Sequence, residues 1–273
     1  MSRPRWVQEI EDKSGSKPVL LVEGDVDTRI VAYFLEQVSP GWETGVILLS
    51  AGYKSRVIEG VRNYHPEWVG IIDTDEWTLD QVQRELTQLP RVRALPRFCL
   101  ENYFCVPEEL WSALPLIQQE AVGNDPSRLA QPVLTLLPDW VAHGAIWRVI
   151  RSRRTGLLNQ SGFPAKLDNV PVTDLAEIRR ILESWHAQLD PDQIINEYQQ
   201  ALDIAQRLTT DEQLKSYVHG KKFFNQVIVS TLNQLFGQRD AYTWLQTFTQ
   251  PPYGLNTPPD LEEFLLEVLN LFE

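Results

Sequence analysis

Residues that build disulfide frameworks or metal–thiolate sites are scarce in this chain. Its 273 residues include only two cysteines and four histidines. Cys99 and Cys105 are separated by five residues and have no histidine beside them. We therefore interpret them as buried thiols rather than as a metal pair or a disulfide.

Long apolar runs are also missing. No segment approaches the roughly 20 apolar residues that cross a bilayer, and the first residues, MSRPRWVQEIEDKSGS, lack the apolar centre of a signal peptide. We expect a cytoplasmic protein with no membrane partner. The composition, 43% hydrophobic and 23% charged, is that of a globular chain that can bury a substantial core.

Positive charge is in deficit, since the formal net charge is −12. Such a balance argues against a general phosphate binder. The distribution is uneven, however, because segments 140–167 and 213–239 contain no Asp or Glu and carry five and four basic residues. The chain is an acidic body with two basic segments.

Short apolar runs alternate with helical patterns over the first hundred residues. We predict strands at 19–22, 45–49, 68–72 and 92–95, with helices between them. This alternation predicts right-handed crossovers and a parallel sheet. From about residue 107 the apolar residues recur at helical spacing only. We predict an α/β fold, a small parallel sheet with crossover helices followed by a mostly helical region, in three segments: 1–107, 108–218 and 219–273.

Acidic side chains follow two of the predicted strands. Glu23 ends the first strand, and Asp27 lies one helical turn further on. Asp73 and Asp75 directly follow the third strand, and Glu76 comes next. The carboxyl ends of parallel strands share one edge, where ligands bind. In extended backbone, residues two apart point the same way, so we expect Asp73 and Asp75 to face this site together.

Carboxylates gathered at one edge repel one another, and their pKa values rise unless a cation lies among them. Hard oxygen ligands of this kind suit Mg²⁺ or Mn²⁺. Each motif alone has a simpler explanation, because Asp27 favours a helix N-terminus and Asp73 and Asp75 suit a turn. Both motifs in one sheet, at the edge where sites form, favour the metal.

At these residues the sequence resembles the Toprim fold, the metal-dependent catalytic unit of topoisomerases, primases and several nucleases. VEGDVD from Glu23 and IIDTDE around Asp73 match the VEGxxD and DxD motifs of that family in order. ENY, which begins at Glu101, resembles Toprim-like nucleases of the overcoming-lysogenization-defect (OLD) type and a related group that acts beside ABC-type ATPases in bacterial defence. The resemblance covers about residues 18–105 and, more weakly, 219–228.

The resemblance implies a Mg²⁺- or Mn²⁺-dependent nuclease that cuts DNA or RNA. Its implied metal ligands are Glu23, Asp27, Asp73, Asp75 and Glu101. Glu23 is also the candidate general base or acid. For Glu101 the alternative is a helix N-terminal acid with Asn102 as a local cap. No GxxxxGK[ST] motif occurs, so an ATPase partner would be a separate chain.

A later lysine enters the site in those relatives, and the step HGKKFFNQVI aligns Lys221 with it, next to Lys222. Lys221 would offset charge that develops on the phosphate, so the third segment would begin by returning to the active site. The alternative is a solvated helix start. The candidate contacts to the nucleic-acid backbone are Arg148, Arg151, Arg153, Arg154 and Lys222. For the arginines the alternative is an exposed helix face.

Other functions use similar acids. Haloacid-dehalogenase phosphatases place DxD after their first strand, whereas Asp73 and Asp75 follow the third. Glycosyltransferase DxD motifs need no VEGxxD element. The main alternative is a non-catalytic Toprim-like module that binds protein partners or regulates them.

Overall fold

A computed structural model describes residues 3–75, 77, 79–171, 173–251 and 253–273. Glu76, which the sequence places beside the acidic motif, lies outside the described residues. The strands are β1 (Val19–Val22), β2 (Ile47–Ser50), β3 (Val69–Ile72) and β4 (Val92–Ala94). The helices of the sheet segment are α1 (Arg5–Ser14), α2 (Asp25–Val38), α3 (Lys54–Glu59) and α4 (Leu79–Leu86).

The rest of the described chain is helical. Its helices are α5 (Pro107–Ala113), α6 (Leu116–Ala121), α7 (Ser127–Thr155), α8 (Leu175–Gln188), α9 (Pro191–Gln206), α10 (Thr210–Ser216), α11 (Gly220–Phe223), α12 (Val229–Phe236), α13 (Ala241–Phe248) and α14 (Pro259–Leu269). Shorter 3₁₀ turns are Trp42–Thr44, Leu100–Phe104, Ala165–Asn169 and Asn270–Phe272, and π-helical turns are Gly60–Tyr64, Gly156–Gln160 and Phe224–Ile228. A small sheet followed by a helical region was predicted, and this fold class is confirmed.

The sheet is entirely parallel, with strand order β2-β1-β3-β4. From β1 the chain continues to β2 at one edge of the sheet, and from β3 it continues to β4 at the opposite edge. The strand order therefore reverses between β1 and β3, and a crevice opens beyond their carboxyl ends. Ligand sites of open α/β sheets form in this crevice. The topology thus singles out the place where Glu23 and Asp73 emerge.

Alternation along the strands gives the sheet two apolar faces. Leu20 and Val22 pack in the larger core, which contains α2 and buried residues of the helical region as far as Val268. Val19 and Leu21 face the smaller core, with α1 and α3. The sheet is therefore covered on both sides, as parallel sheets require.

Two features of the sequence have a direct structural outcome. Cys99 and Cys105 are free and buried, as predicted. Helix α7 has 29 residues, yet within the described parts of the chain no helix is both long and apolar enough to cross a membrane.

A buried arginine ties the sheet segment to the helical region. Arg97, which is 1% exposed, follows β4. Its guanidinium donates two hydrogen bonds of 2.8 Å to Glu109 of α5 and bonds of 2.9 and 3.0 Å to Asp260 of α14. It also donates to the backbone carbonyl of Asn102 at 3.3 Å. Removal of the cation would leave two carboxylates facing each other in a partly buried place.

We predict that Arg97→Met lowers the free energy of unfolding by about 3–5 kcal/mol, because it breaks a buried ion cluster and leaves its acids unpaired. Urea denaturation at neutral pH measures the change. Arg180→Met is the matched control, since Arg180 is paired with Glu177 at the exposed surface, where ion pairs contribute little. Equal losses in the two variants would contradict a structural role for the buried cluster.

Candidate functional site

A cavity of about 440 Å³ opens at the carboxyl edge of the sheet and contains five of the predicted site residues. Glu23 follows β1 and Asp27 lies in the first turn of α2. Asp73 follows β3, Glu101 lies in the 3₁₀ turn after β4, and Lys221 reaches in from α11. The structure therefore brings together acids from three strand ends and a lysine distant in sequence. We call this space the carboxylate cavity.

Glu23 is joined directly to the acidic residue of the neighbouring strand. Its Oε1 accepts a hydrogen bond of 2.8 Å from the backbone N–H of Asp73. Burial, with repulsion from Asp75 and Asp27, raises the pKa of Glu23 to about 7, although Lys54 and the Asp73 N–H oppose the rise. A carboxyl group that titrates near neutral pH is suited to accept and return a proton.

The two aspartates that line the cavity also hold protons more tightly than usual. Burial raises the pKa of Asp73 well above its ordinary range, and Glu23, Asp75, Glu101 and Asp27 raise it further. The pKa of Asp27 is raised by burial and by Glu101. Mutual repulsion is therefore a property of the folded site.

Asp27 also caps its helix. Its Oδ2 accepts a hydrogen bond of 2.8 Å from the backbone N–H of Gly24. The local explanation given by the sequence thus holds for Asp27. Asp27 therefore both caps α2 and lines the carboxylate cavity.

Glu101 and Lys221 form an ion pair inside the cavity. The Lys221 Nζ lies 3.6 Å from Glu101 Oε1. The Glu101 side chain is 6% exposed, whereas that of Lys221 is 60% exposed. Glu101 first, followed by Asp27 and Asp73, raises the pKa of Lys221 above its ordinary value. The lysine is therefore a fixed positive charge with one side open to solvent.

Asn102 holds the segment that carries this lysine. Its buried amide donates hydrogen bonds to the carbonyls of Leu214, at 2.7 Å, and Val218, at 3.0 Å. Its Oδ1 accepts from the backbone N–H of Cys99 at 3.1 Å, which is the local cap considered from the sequence. A Cβ on Gly220 would lie 2.1 Å from this Oδ1, so only glycine allows the close approach. ENY is thus a structural junction as well as a source of Glu101.

The expectation that Asp75 faces the site in parallel with Asp73 is wrong. It assumed extended backbone, but Asp75 has a left-handed φ of 51°. Its N–H donates to the carbonyl of Phe98 at 2.7 Å, and its carboxylate is paired with Lys54. Asp75 acts on the cavity by raising the pKa values of Glu23 and Asp73, and it does not line it.

Lys54 is a site residue that the sequence reading missed. It is the first residue of α3, four residues after the carboxyl end of β2, and its ammonium lies 4.6 Å from the centre of the Trp77 ring. The same edge rule that selected Glu23 and Asp73 applies to β2. The acidic motifs alone do not point to a lysine at this position.

The carboxylate cavity provides the oxygen donors that Mg²⁺ or Mn²⁺ prefers. Among the described residues, no group of three or more His, Cys, Asp or Glu side chains stands ready to hold a metal ion. The donor set therefore fits a divalent cation in chemistry, while coordination would require the carboxylates to converge. A cation bound there would relieve the repulsion between carboxylates that contributes to their raised pKa values.

The basic residues predicted to hold nucleic acid have different surroundings. Arg148 is paired with the carbonyl of Ser216 and lies 4.1 Å above the Tyr217 ring. Arg153 is paired with Glu197. Arg151 lines a cavity beside Trp77, whereas Arg154 and Lys222 are exposed. Arg148 and Arg153 already have partners within the chain, and their contact with nucleic acid stays a prediction.

No family model, curated protein or solved structure matches this chain. The resemblance to Toprim proteins therefore depends on the sequence motifs quoted above.

We predict that Glu23→Gln removes a pH dependence of stability in metal-free buffer. The pKa of Glu23 is raised from 4.5 to about 7 in the folded protein. The folded state therefore binds more protons than the unfolded state between these values, and wild-type stability falls as pH rises through this window. At pH 8 the variant should gain about 3 kcal/mol.

Urea denaturation between pH 4 and pH 8 measures this difference. The glutamine side chain of the variant keeps an oxygen that can accept from the Asp73 N–H, so the hydrogen bond is preserved. Glu120→Gln, at an exposed position, is the matched control and should follow the wild-type curve. Parallel curves for wild type and Glu23→Gln would refute the raised pKa.

Proposed function

We propose that this protein is a Mg²⁺- or Mn²⁺-dependent nuclease of the Toprim type that hydrolyses phosphodiester bonds in DNA or RNA. The observation that carries the proposal is the carboxylate cavity itself. Glu23, Asp27, Asp73 and Glu101 line it at the switch point of a parallel sheet, with Lys221 at its mouth. The order of these acids along the chain agrees with the Toprim resemblance.

Charge supports a metal-dependent reaction. An anionic phosphate would be repelled by a cavity whose acids already repel one another. A bound divalent cation neutralises phosphate charge and lowers the pKa of a coordinated water. Asp27, Asp73 and Glu101 are the ligands that would hold it, and Glu23 is both a ligand and the group that exchanges a proton at Oε1 or Oε2.

Lys221 has the electrostatic role. Its ammonium is kept charged by the neighbouring acids, and its exposed side can meet a phosphate oxygen. A fixed cation next to the reacting group stabilises negative charge that develops in the transition state. Asn102 and Gly220 act on the reaction indirectly, since they position Lys221.

A non-catalytic module that acts through protein partners is the second candidate. The observation that favours it is internal pairing: Lys221 pairs with Glu101, and Lys54 pairs with Asp75. Such pairs stabilise the acids without a metal. Under either proposal we place the protein in the cytoplasm, and the resemblance supports a separate ABC-type ATPase as partner.

The direct test is nuclease activity of the purified protein on plasmid DNA and total tRNA in Mg²⁺, Mn²⁺ or EDTA. We predict cleavage with a divalent cation and none in EDTA. Asp73→Asn should lower turnover by about a hundredfold or more, because it removes a central charge of the ligand set. Glu120→Gln should cleave as wild type does.

A measurement of metal binding tests the same site independently of cleavage. Calorimetry with Mn²⁺ should show binding to wild type and much weaker binding to Asp73→Asn. If Mn²⁺ binds neither protein at millimolar concentration and no substrate is cut, the nuclease proposal fails and the partner-binding module is favoured.

For Lys221→Ala we predict a fall in kcat of about a hundredfold, with little change in KM, because the ammonium acts mainly on the transition state. Lys222→Ala is the adjacent comparison, since neighbouring helix positions point about 100° apart. That variant should keep kcat. Similar kcat values in wild type and Lys221→Ala would contradict a catalytic role for Lys221 and favour a purely structural role for residues 220–223.

A further inference from the structure

A second cavity, of about 280 Å³, adjoins the turn of α11 that carries Lys221. It is lined by Trp140, His143, Gly144, Trp147, His219, Lys222 and Gln226. Lys221 lines the carboxylate cavity and the next residue, Lys222, lines this one. Consecutive residues of α11 therefore line the two cavities. We call the second space the tryptophan cavity.

The α7 wall of this cavity is one helix face. Trp140, His143, Gly144 and Trp147 recur at intervals of three, four and seven residues from the first, so their side chains lie on the same side of α7. A Cβ on Gly144 would lie 1.9 Å from the carbonyl oxygen of Tyr217. Glycine at this position thus allows the chain that leads into α11 to lie directly on α7.

The aromatic rings differ in how firmly they are held. Trp140 packs edge-on against the buried Phe223, with ring centres 5.5 Å apart. Trp147 is 41% exposed, and the Lys222 Nζ lies 4.1 Å from its ring centre. An exposed indole can stack with another flat ring, and the ammonium group beside it can contact a negative charge attached to that ring.

We propose that the tryptophan cavity binds an unpaired base of a nucleic-acid strand, which stacks on Trp147 in place of the Lys222 ammonium, and that Lys222 then contacts the adjoining phosphate. The inference rests on the proposed nuclease function and adds the substrate class, a single strand or an unpaired nucleotide. A base within a duplex has both faces covered by its neighbours, so a tryptophan can stack on it only after it leaves the helix.

Two features select this ligand. Tryptophan-lined sites also bind quaternary ammonium groups, but the Lys222 ammonium already lies on the Trp147 ring and repels a second cation. The carboxylate cavity, next along α11, is where the proposed reaction needs a phosphate. One strand can therefore place a base on Trp147 and a nearby phosphodiester at the acids.

The test is the affinity of wild type and Trp147→Ala for a fluorescent oligothymidylate and for a duplex of equal length, in EDTA and at one salt concentration. We expect Trp147→Ala to weaken binding of the single strand roughly 5- to 150-fold, the range found for loss of one base–aromatic stack. Duplex affinity should hardly change. Trp147→Phe should restore most of the single-strand affinity.

The control is Tyr253→Ala, which removes an aromatic ring of similar exposure elsewhere on the surface and should bind as wild type does. Lys222→Gln should weaken binding, and in titrations repeated at several salt concentrations it should lower the salt slope by about 0.7, as expected when one phosphate contact is lost. Thymidine monophosphate is added as a competitor. It should displace the strand only at far higher concentration.

Unchanged single-strand affinity in Trp147→Ala overturns the inference, and an equal loss for duplex overturns the preference for unpaired bases. Displacement by thymidine monophosphate at the concentration of the strand would identify a free nucleotide as the ligand and overturn strand binding. All measurements are made in EDTA and need no cleavage. Base binding without nuclease activity would therefore refute the proposed reaction alone, whereas cleavage with unchanged Trp147→Ala binding would refute this inference alone.

Discussion

The buried amide of Asn102 joins the end of the sheet to the segment that leads into α11, the helix that carries Lys221 and Lys222. It bonds to the carbonyls of Leu214 and Val218, and Gly220 lies against it without room for a side chain. A buried amide without partners is costly, so these contacts fix the approach of α11 to the sheet. The positions of Lys221 beside the acids and of Lys222 beside the tryptophans follow from this one junction.

The charge of the carboxylate cavity links stability to function. Folding brings Glu23, Asp27 and Asp73 close together, and burial with mutual repulsion raises their pKa values. Three agents can relieve this repulsion: a proton, a neighbouring lysine or a metal ion. Lys54 and Lys221 provide part of the relief. The repulsion that remains makes the site sensitive to pH, and we propose that a divalent cation relieves it in the proposed reaction.

Helix α7 shows why charge patterns in a sequence are ambiguous. Its arginines were candidates for nucleic-acid contact, yet Arg148 supports Ser216 and Tyr217, and Arg153 is paired with Glu197. Their partners are distant in sequence, so the local sequence around the arginines does not predict these pairs. By contrast, the face of α7 with Trp140 and Trp147 has helical spacing that suggests an ordinary core. Only the neighbouring α11 makes it the wall of a cavity.

The sequence by itself determined the parallel sheet and the helical region, because strand and helix periodicity and the crossover rule are local or nearly local. It also placed Glu23 and Asp73 at one edge, since both directly follow strands. Tertiary structure alone decided the rest of the site. The left-handed backbone at Asp75 turned it toward Lys54, and the fit of Gly220 against Asn102 set the reach of Lys221. The positions of Asp75 and Lys221 depend on contacts between segments that are distant in sequence. Such contacts form only when the chain packs, so the local sequence does not predict them.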